Sequence, residues 1–255
     1  MPRHPRQSRL RTAAMGPASA ALALGMWFAN PVLAAVPVPT TQVTLDFEQL
    51  SGYTRLAGQA DSQVAGVRYG GDAVGFVDHD SPQGAGGLDI GNFGRAPSPV
   101  GVLGFFGETA RTRGAIVNVG SGFAGEVRLA YSTIKNPAWI EIWSGLDGSG
   151  VLLAKSPSGA LRALGSDEQP FKGAFGDEEY GAYNRWAEMT LGFEGTGRSL
   201  VLSGSLLPPA QGSGGLSFGD VLFDNIVLSV VPEASTSALL LAGLGLLGLY
   251  GRRRR

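Results

Sequence analysis

The 255-residue chain has no cysteine, which removes disulfides, thiolate metal centres and a cysteine nucleophile in one step. Histidine is almost as scarce. Of the two, His4 belongs to the leader described below, so any imidazole chemistry in the body rests on His79 alone. Basic side chains are thin where a nucleic-acid partner would need them. Eight of the twenty Lys and Arg lie at the chain ends, at Arg3, Arg6, Arg9, Arg11 and Arg252 to Arg255, and residues 35–231 hold twelve against twenty Asp and Glu, a net charge of −8. An acidic body without a basic stripe repels phosphate backbones, so no nucleic-acid partner is expected. Helix-period patterning is also lacking between the two ends.

What is present reads as strands. In "TQVTLDFEQL", Val43, Leu45 and Phe47 alternate with Thr44, Asp46 and Glu48; "GAIVNVG" and "GEVRLAYSTI" alternate likewise, and "AWIEIWSGLDGSGVLLAKS" reads as two strands around a glycine-rich turn. The stretch "RWAEMTLGFEGTGRSLVLSGS" reads as a hairpin through Glu194-Gly195-Thr196-Gly197, and "FGDVLFDNIVLSVV" supplies a last strand. Eight to ten short strands with turns between them predict an all-β fold, an antiparallel β-sandwich of jelly-roll type. The charged, glycine-bearing segment "SPSGALRALGSDEQPFKGAFGDEEYGAYN" suits a long rim loop with at most one helical turn.

Forty glycines also generate motif look-alikes. Gly215-Leu216-Ser217-Phe218-Gly219 fits G-x-S-x-G, but no histidine follows Ser217 and no helix pattern supports a nucleophile elbow. Gly120-Ser121-Gly122-Phe123-Ala124-Gly125 fits the dinucleotide fingerprint, yet the strand-like "EVRLAYS" follows where a phosphate site needs a helix N-terminus, so a hairpin turn is expected there. Asp78-His79-Asp80 reads as a polar loop tip, because in an extended segment His79 points away from its neighbours. Asp167, Glu168, Asp177, Glu178 and Glu179 read as a solvated acidic loop, since nothing fixes the ~5–9 Å carboxylate separation that glycoside hydrolysis requires. No enzyme is expected.

The most informative binding pattern is aromatic. In "AWIEIW", Ile140 and Ile142 share one face and Trp139, Glu141 and Trp143 the other. The indoles either point outward as a stacking surface for sugar rings around the Glu141 carboxylate, or they form core or are roofed by the rim segment containing Tyr180, Tyr183 and Trp186.

Both chain ends read as addresses. Four arginines precede a short apolar stretch ending in small residues, with Val32 and Ala34 placed as the −3 and −1 positions of a signal-peptidase site. Residues 1–34 are therefore expected to be a signal peptide cut after Ala34 or Ala35, and residues 35–231 a single exported body. At the other end, Ala238 to Tyr250 carry no charge and precede Arg252, Arg253, Arg254 and Arg255, which hold the C-terminus on the cytoplasmic side. Thirteen strongly apolar residues fall short of the ~17–25 of a permanent span, which argues against a plain anchor.

Val231-Pro232-Glu233, then Ser235-Thr236, then the apolar helix and the arginine cluster resemble the PEP-CTERM sorting signal of exopolysaccharide-producing Gram-negative bacteria, over residues 232–255. The resemblance implies a transmembrane sorting helix and transient residence in the inner membrane. It also implies processing by exosortase near the Pro-Glu motif, then delivery to the cell surface or extracellular matrix. Ala234 stands where that family usually has a second proline. The early "LDFE" and late "FDNIVL" resemble the terminal strands of bacterial jelly-roll modules related to carbohydrate-binding domains. That resemblance implies adjacent chain ends able to hold a structural calcium through Asp46, Glu48 and Asp224, the alternative being solvated edge carboxylates. Signal peptidase, exosortase and extracellular polysaccharide are the expected partners. The body is expected to be a non-enzymatic carbohydrate-binding or matrix module, with a ligand-free scaffold and a glycan-active enzyme as the other readings.

Overall fold

In the computed structural model, residues 40–78, 81, 93–107, 114–165, 171–172, 178–179, 183–206 and 217–232 are described. The expected leader, its cleavage site, the apolar run and the arginine cluster lie outside them. In chain order the strands are β1 (Thr41–Leu45), β2 (Thr54–Arg55), β3 (Val67–Gly71), β4 (Ala73–Val77), β5 (Gly101–Gly107), β6 (Ala115–Ser132) and β7 (Ala138–Trp143). They continue with β8 (Leu152–Lys155), β9 (Phe171–Lys172), β10 (Glu178–Glu179), β11 (Ala187–Gly204), β12 (Ser217–Phe218) and β13 (Leu222–Val230).

Two strands of 18 residues, β6 and β11, organise the rest. They run antiparallel from Ala187 opposite Tyr131 to Leu202 opposite Ala115. The hairpins expected at Gly120–Gly125 and Glu194–Gly197 do not form. Both stretches are bends inside continuous strands, where register breaks fall between Gly192 and Thr196 and between Gly197 and Ser199. Unpaired residues in a ladder bend and twist it without reversing the chain. Gly122, Gly125 and Gly195 take φ of 89°, 85° and 89°, which only glycine reaches cheaply. A Cβ on Gly122 would also stand 2.4 Å from Thr196 Cγ2, and one on Gly197 2.8 Å from Ile142 Cγ2.

Because they bend, β6 and β11 serve two layers. One layer is β3, the first part of β6, the second part of β11, β7 and β8. The other is the first part of β11, the second part of β6, β13 with β1 and β5 beside it, β4 and β2. Every pairing among the described residues is antiparallel. Val117, Leu200, Leu202, Ile140 and Ile142 from the first layer join Phe123, Val127, Phe223, Ile226 and Leu228 from the second in one buried cluster. The described residues are thus all-β, an antiparallel sandwich, as the alternating patterns predict.

The rim segment departs from expectation. Within it, β9 and β10 form a two-stranded antiparallel ribbon. Tyr183 and Trp186 pack against Val74, Phe76, Phe93, Val102 and Leu222 on β4, β5 and their surroundings, and Trp186 Nε1 donates to the Gly94 carbonyl at 3.2 Å. These aromatics roof β4 and β5. Tyr180 lies outside the described residues.

Candidate functional site

On β7 the period-2 pattern resolves cleanly: Ala138, Ile140 and Ile142 are buried, while Trp139, Glu141 and Trp143 face outward. Trp139 remains 36% exposed. The neighbouring rows come from β11, whose Ser203, Val201 and Ser199 stand opposite Trp139, Glu141 and Trp143, and from β8, whose Lys155 stands opposite Glu141. Glu141 is braced from both sides. Its Oε2 accepts Trp143 Nε1 at 3.2 Å and its Oε1 accepts Lys155 Nζ at 2.8 Å. A solvent-facing pair of this kind adds ~0–1 kcal/mol to stability, so its main effect is to fix the carboxylate and the Trp143 ring in one orientation.

The β7–β8 turn bounds this platform. Asn118 Nδ2 donates to Asp147 Oδ1 at 2.7 Å and Asn118 Oδ1 accepts Asp147 N at 2.8 Å. Ser199 Oγ donates to the Gly145 carbonyl at 2.6 Å and accepts Gly148 N at 3.0 Å. The turn is thereby pinned over the outer faces of β6 and β11 beside Trp143. At the Trp139 end a groove stays open, walled by Pro137, Trp139, Lys155, Pro157 and Ser158. Apolar walls with a few polar groups suit an amphiphilic ring such as a pyranose. Lys155 had no sequence signal of its own, since only the β7–β8 register places it beside Glu141.

Asp46, Glu48 and Asp224 also come near one another, with Asp46 and Glu48 part-exposed and Asp224 within the fold, but not as a metal-binding group. Asp224 is fully buried. Its Oδ2 accepts Ser98 N at 2.8 Å, and its Oδ1 lies 2.5 Å from Ser98 Oγ and accepts Asn225 N at 2.7 Å. Glu48 Oε1 accepts Val100 N at 2.8 Å and Gly101 N at 3.1 Å, while the Asp46 carbonyl lies 2.8 Å from Ser98 Oγ. The three residues latch the start of β5 to β1 and β13. Burial pushes the Asp224 carboxyl up to about 7, against the hydrogen bonds from Ser98 and Asn225 and with the Glu48 charge adding to the rise. Among the described residues no three His, Asp or Glu side chains converge as a metal-binding group.

The remaining sequence candidates are dispersed. Asp78 is buried beside Ser81, which donates to its carbonyl, whereas His79, Asp80, Asp167, Glu168 and Asp177 lie outside the described residues. Glu178 and Glu179 belong to β10, opposite Lys172 and Phe171. Ser217 sits on β12, paired with Gly107 on β5, so Ser217 and Phe218 are strand where a nucleophile elbow turns into a helix.

Among solved structures, the chain is similar to the K2 cleaved adhesin domain of Lys-gingipain, with 11% identity and a TM-score of 0.42 over 74% of this chain and 98% of that one. It is also similar to the K3 cleaved adhesin domain of Lys-gingipain from Porphyromonas gingivalis w83, with 12% identity and a TM-score of 0.36 over 73% and 98%. No curated protein matches the chain. Residues 230–255 match the PEP-CTERM protein-sorting motif, which takes in Pro232, Glu233, Ser235, Thr236 and the four terminal arginines. The chain therefore carries a PEP-CTERM sorting signal, the mark of an exported protein that exosortase processes on its way to the cell surface.

Proposed function

We propose that the body is a non-enzymatic carbohydrate-binding module, displayed at the surface or in the exopolysaccharide biofilm matrix of a Gram-negative bacterium. The observation that carries this reading is the outward pair Trp139 and Trp143 around a carboxylate already held in place by Lys155 and an indole N–H. A sugar ring laid on Trp139 buries its C–H face against the indole, while Glu141 and Lys155 present an acceptor and donors to its hydroxyls. Glu141 has lone pairs left over for this after accepting its two bonds. The side chains bonded to it are Lys155 and Trp143, and the Asp147 carboxylate on the bounding turn is held by Asn118, which favours binding over glycosidic cleavage. The second reading, a matrix scaffold without a ligand, draws support from the half-buried state of Trp143. The deciding experiment is binding of the host's own exopolysaccharide by the full chain and by a Trp139→Ala, Trp143→Ala variant. At least a tenfold loss of affinity is expected. A folded variant that binds unchanged would overturn the proposal.

A further inference from the structure

A second cavity lies away from the tryptophan platform, beside β1, under the segment that connects β1 to β3. Its volume is about 230 Å³, below the ~300–1,000 Å³ of pockets for drug-sized ligands, so it has room for one small ring and not for an oligomer. The floor is apolar: Leu45, Phe47, Leu56 and Tyr69 are all buried. The rim is polar and uncharged, with Gln49, Ser51, Gln59, Ser62 and Gln63 exposed around it. Asp46 and Asp61 stand between floor and rim.

The chemistry of this lining selects its occupant. Among the described residues no Lys or Arg lines the cavity, and two carboxylates repel an anion, which disfavours phosphate, sulfate and acidic sugars. Asp61 is largely engaged within the protein: its Oδ1 accepts Gln63 N at 2.8 Å and Val64 N at 2.7 Å, and its Oδ2 accepts the Tyr69 hydroxyl. Asp46 is less so, since among the described residues its side chain takes one long bond, from Glu48 N, 3.3 Å to Oδ1. A calcium ion wants 6–8 oxygen ligands with several carboxylates among them, and one available carboxylate does not supply that. One spare acceptor, a ring of side-chain amides and hydroxyls that both donate and accept, and an apolar floor fit the hydroxyls and C–H face of a neutral sugar.

Backbone strain marks the same place. Phe47, a bulky residue, has φ of 59°, a left-handed conformation that costs on the order of 1–3 kcal/mol. It is held there because Gly101 lets the Phe47 carbonyl pass where a Cβ would be 2.1 Å away. The conformation turns the Phe47 ring inward, 6.1 Å from Tyr69, to make the floor.

We infer that this cavity binds a single uncharged monosaccharide unit, independently of the Trp139–Trp143 platform. The test is saturation-transfer NMR on the full chain, in a detergent without a sugar headgroup, with methyl glucoside, galactoside and mannoside as probes up to tens of millimolar. Two variants accompany it: Asp46→Asn, which weakens the spare acceptor, and Ser62→Trp, which blocks the mouth from an exposed position and leaves the floor alone. At least one probe should bind, at least tenfold more weakly in either folded variant and unchanged in the Trp139→Ala, Trp143→Ala protein. That last arm separates this site from the platform. Absence of transfer from all three probes, or binding that both folded variants retain, would overturn the inference; so would a response to calcium alone.

Discussion

Asp224 offers the sharpest test of the latch between β1, β5 and β13. Its carboxyl is raised from 3.8 to about 7 because burial penalises the charged form. A carboxyl whose value rises on folding binds its proton more tightly in the native state. Its contribution to stability is therefore complete below the unfolded value and is lost as the pH climbs through the folded one. Between pH 5 and pH 8 that linkage amounts to about 3 kcal/mol. For a domain of this size, ~2–4 °C per kcal/mol translates it into a melting temperature about 6–12 °C higher at pH 5 than at pH 8. Replacing Asp224 by Asn removes the titration and nothing else of comparable size from that window. The variant is less stable at pH 5, because an amide NH2 then faces the Ser98 N–H that Oδ2 now accepts, a donor against a donor. Calorimetric melts at half-unit pH steps on both proteins provide the assay, with the difference between the two curves isolating this residue from all other carboxylates. If the wild type and Asp224→Asn show the same slope from pH 5 to 8, the buried-acid account of the latch is wrong.

Other outcomes follow from the same geometry. Gly101→Ala sets a methyl 2.1 Å from the Phe47 carbonyl oxygen, backbone that cannot swing aside, and should cost about 1–3 kcal/mol or more in denaturant unfolding. Gly122→Val, at φ of 89° and against Thr196, should cost at least as much, whereas Gly125→Ala meets nothing within 4 Å and should cost only the ~1–2 kcal/mol of left-handed strain. Glu141→Gln keeps an acceptor for the Trp143 N–H but drops the Lys155 ion pair. Stability should shift by less than about 1 kcal/mol, while affinity for the host polysaccharide falls. Intact-mass measurement of the extracellular form from the native host should show loss of Arg252 to Arg255; their retention would refute processing near Pro232-Glu233.

Where periodicity and burial coincide, the sequence was a sufficient guide. Val43 and Leu45 on β1, Ile140 and Ile142 on β7, and Ile226 and Leu228 on β13 lie toward the core because alternation is a local property that a single strand carries, whereas Phe223 reaches the same core only through the irregularity at Asn225. The glycine stretches were not legible in the same way. A glycine-rich break between two alternating runs is the same local signal whether the chain reverses or bends. What separates the two is pairing with a partner far along the chain, such as Thr196 with Ala124. The burial of Asp224 was hidden for the same reason, since its donor Ser98 lies 126 residues away. Trp139, Glu141 and Trp143 could be placed on one face from "AWIEIW" alone. Which face stayed open depended on Tyr183 and Trp186, and these turn toward Gly94 and the β4–β5 surface, information that no short window contains.

The last strand has a mechanical consequence. β13 ends at Val230, next to the sorting signal, and is flanked by β1 through five rungs and by β6 on the other side. A tether attached just beyond it would pull along the strand, loading those backbone bonds together in shear instead of peeling them one by one. Such a coupling resists a pull on the chain's C-terminal side better than a strand paired along one edge would.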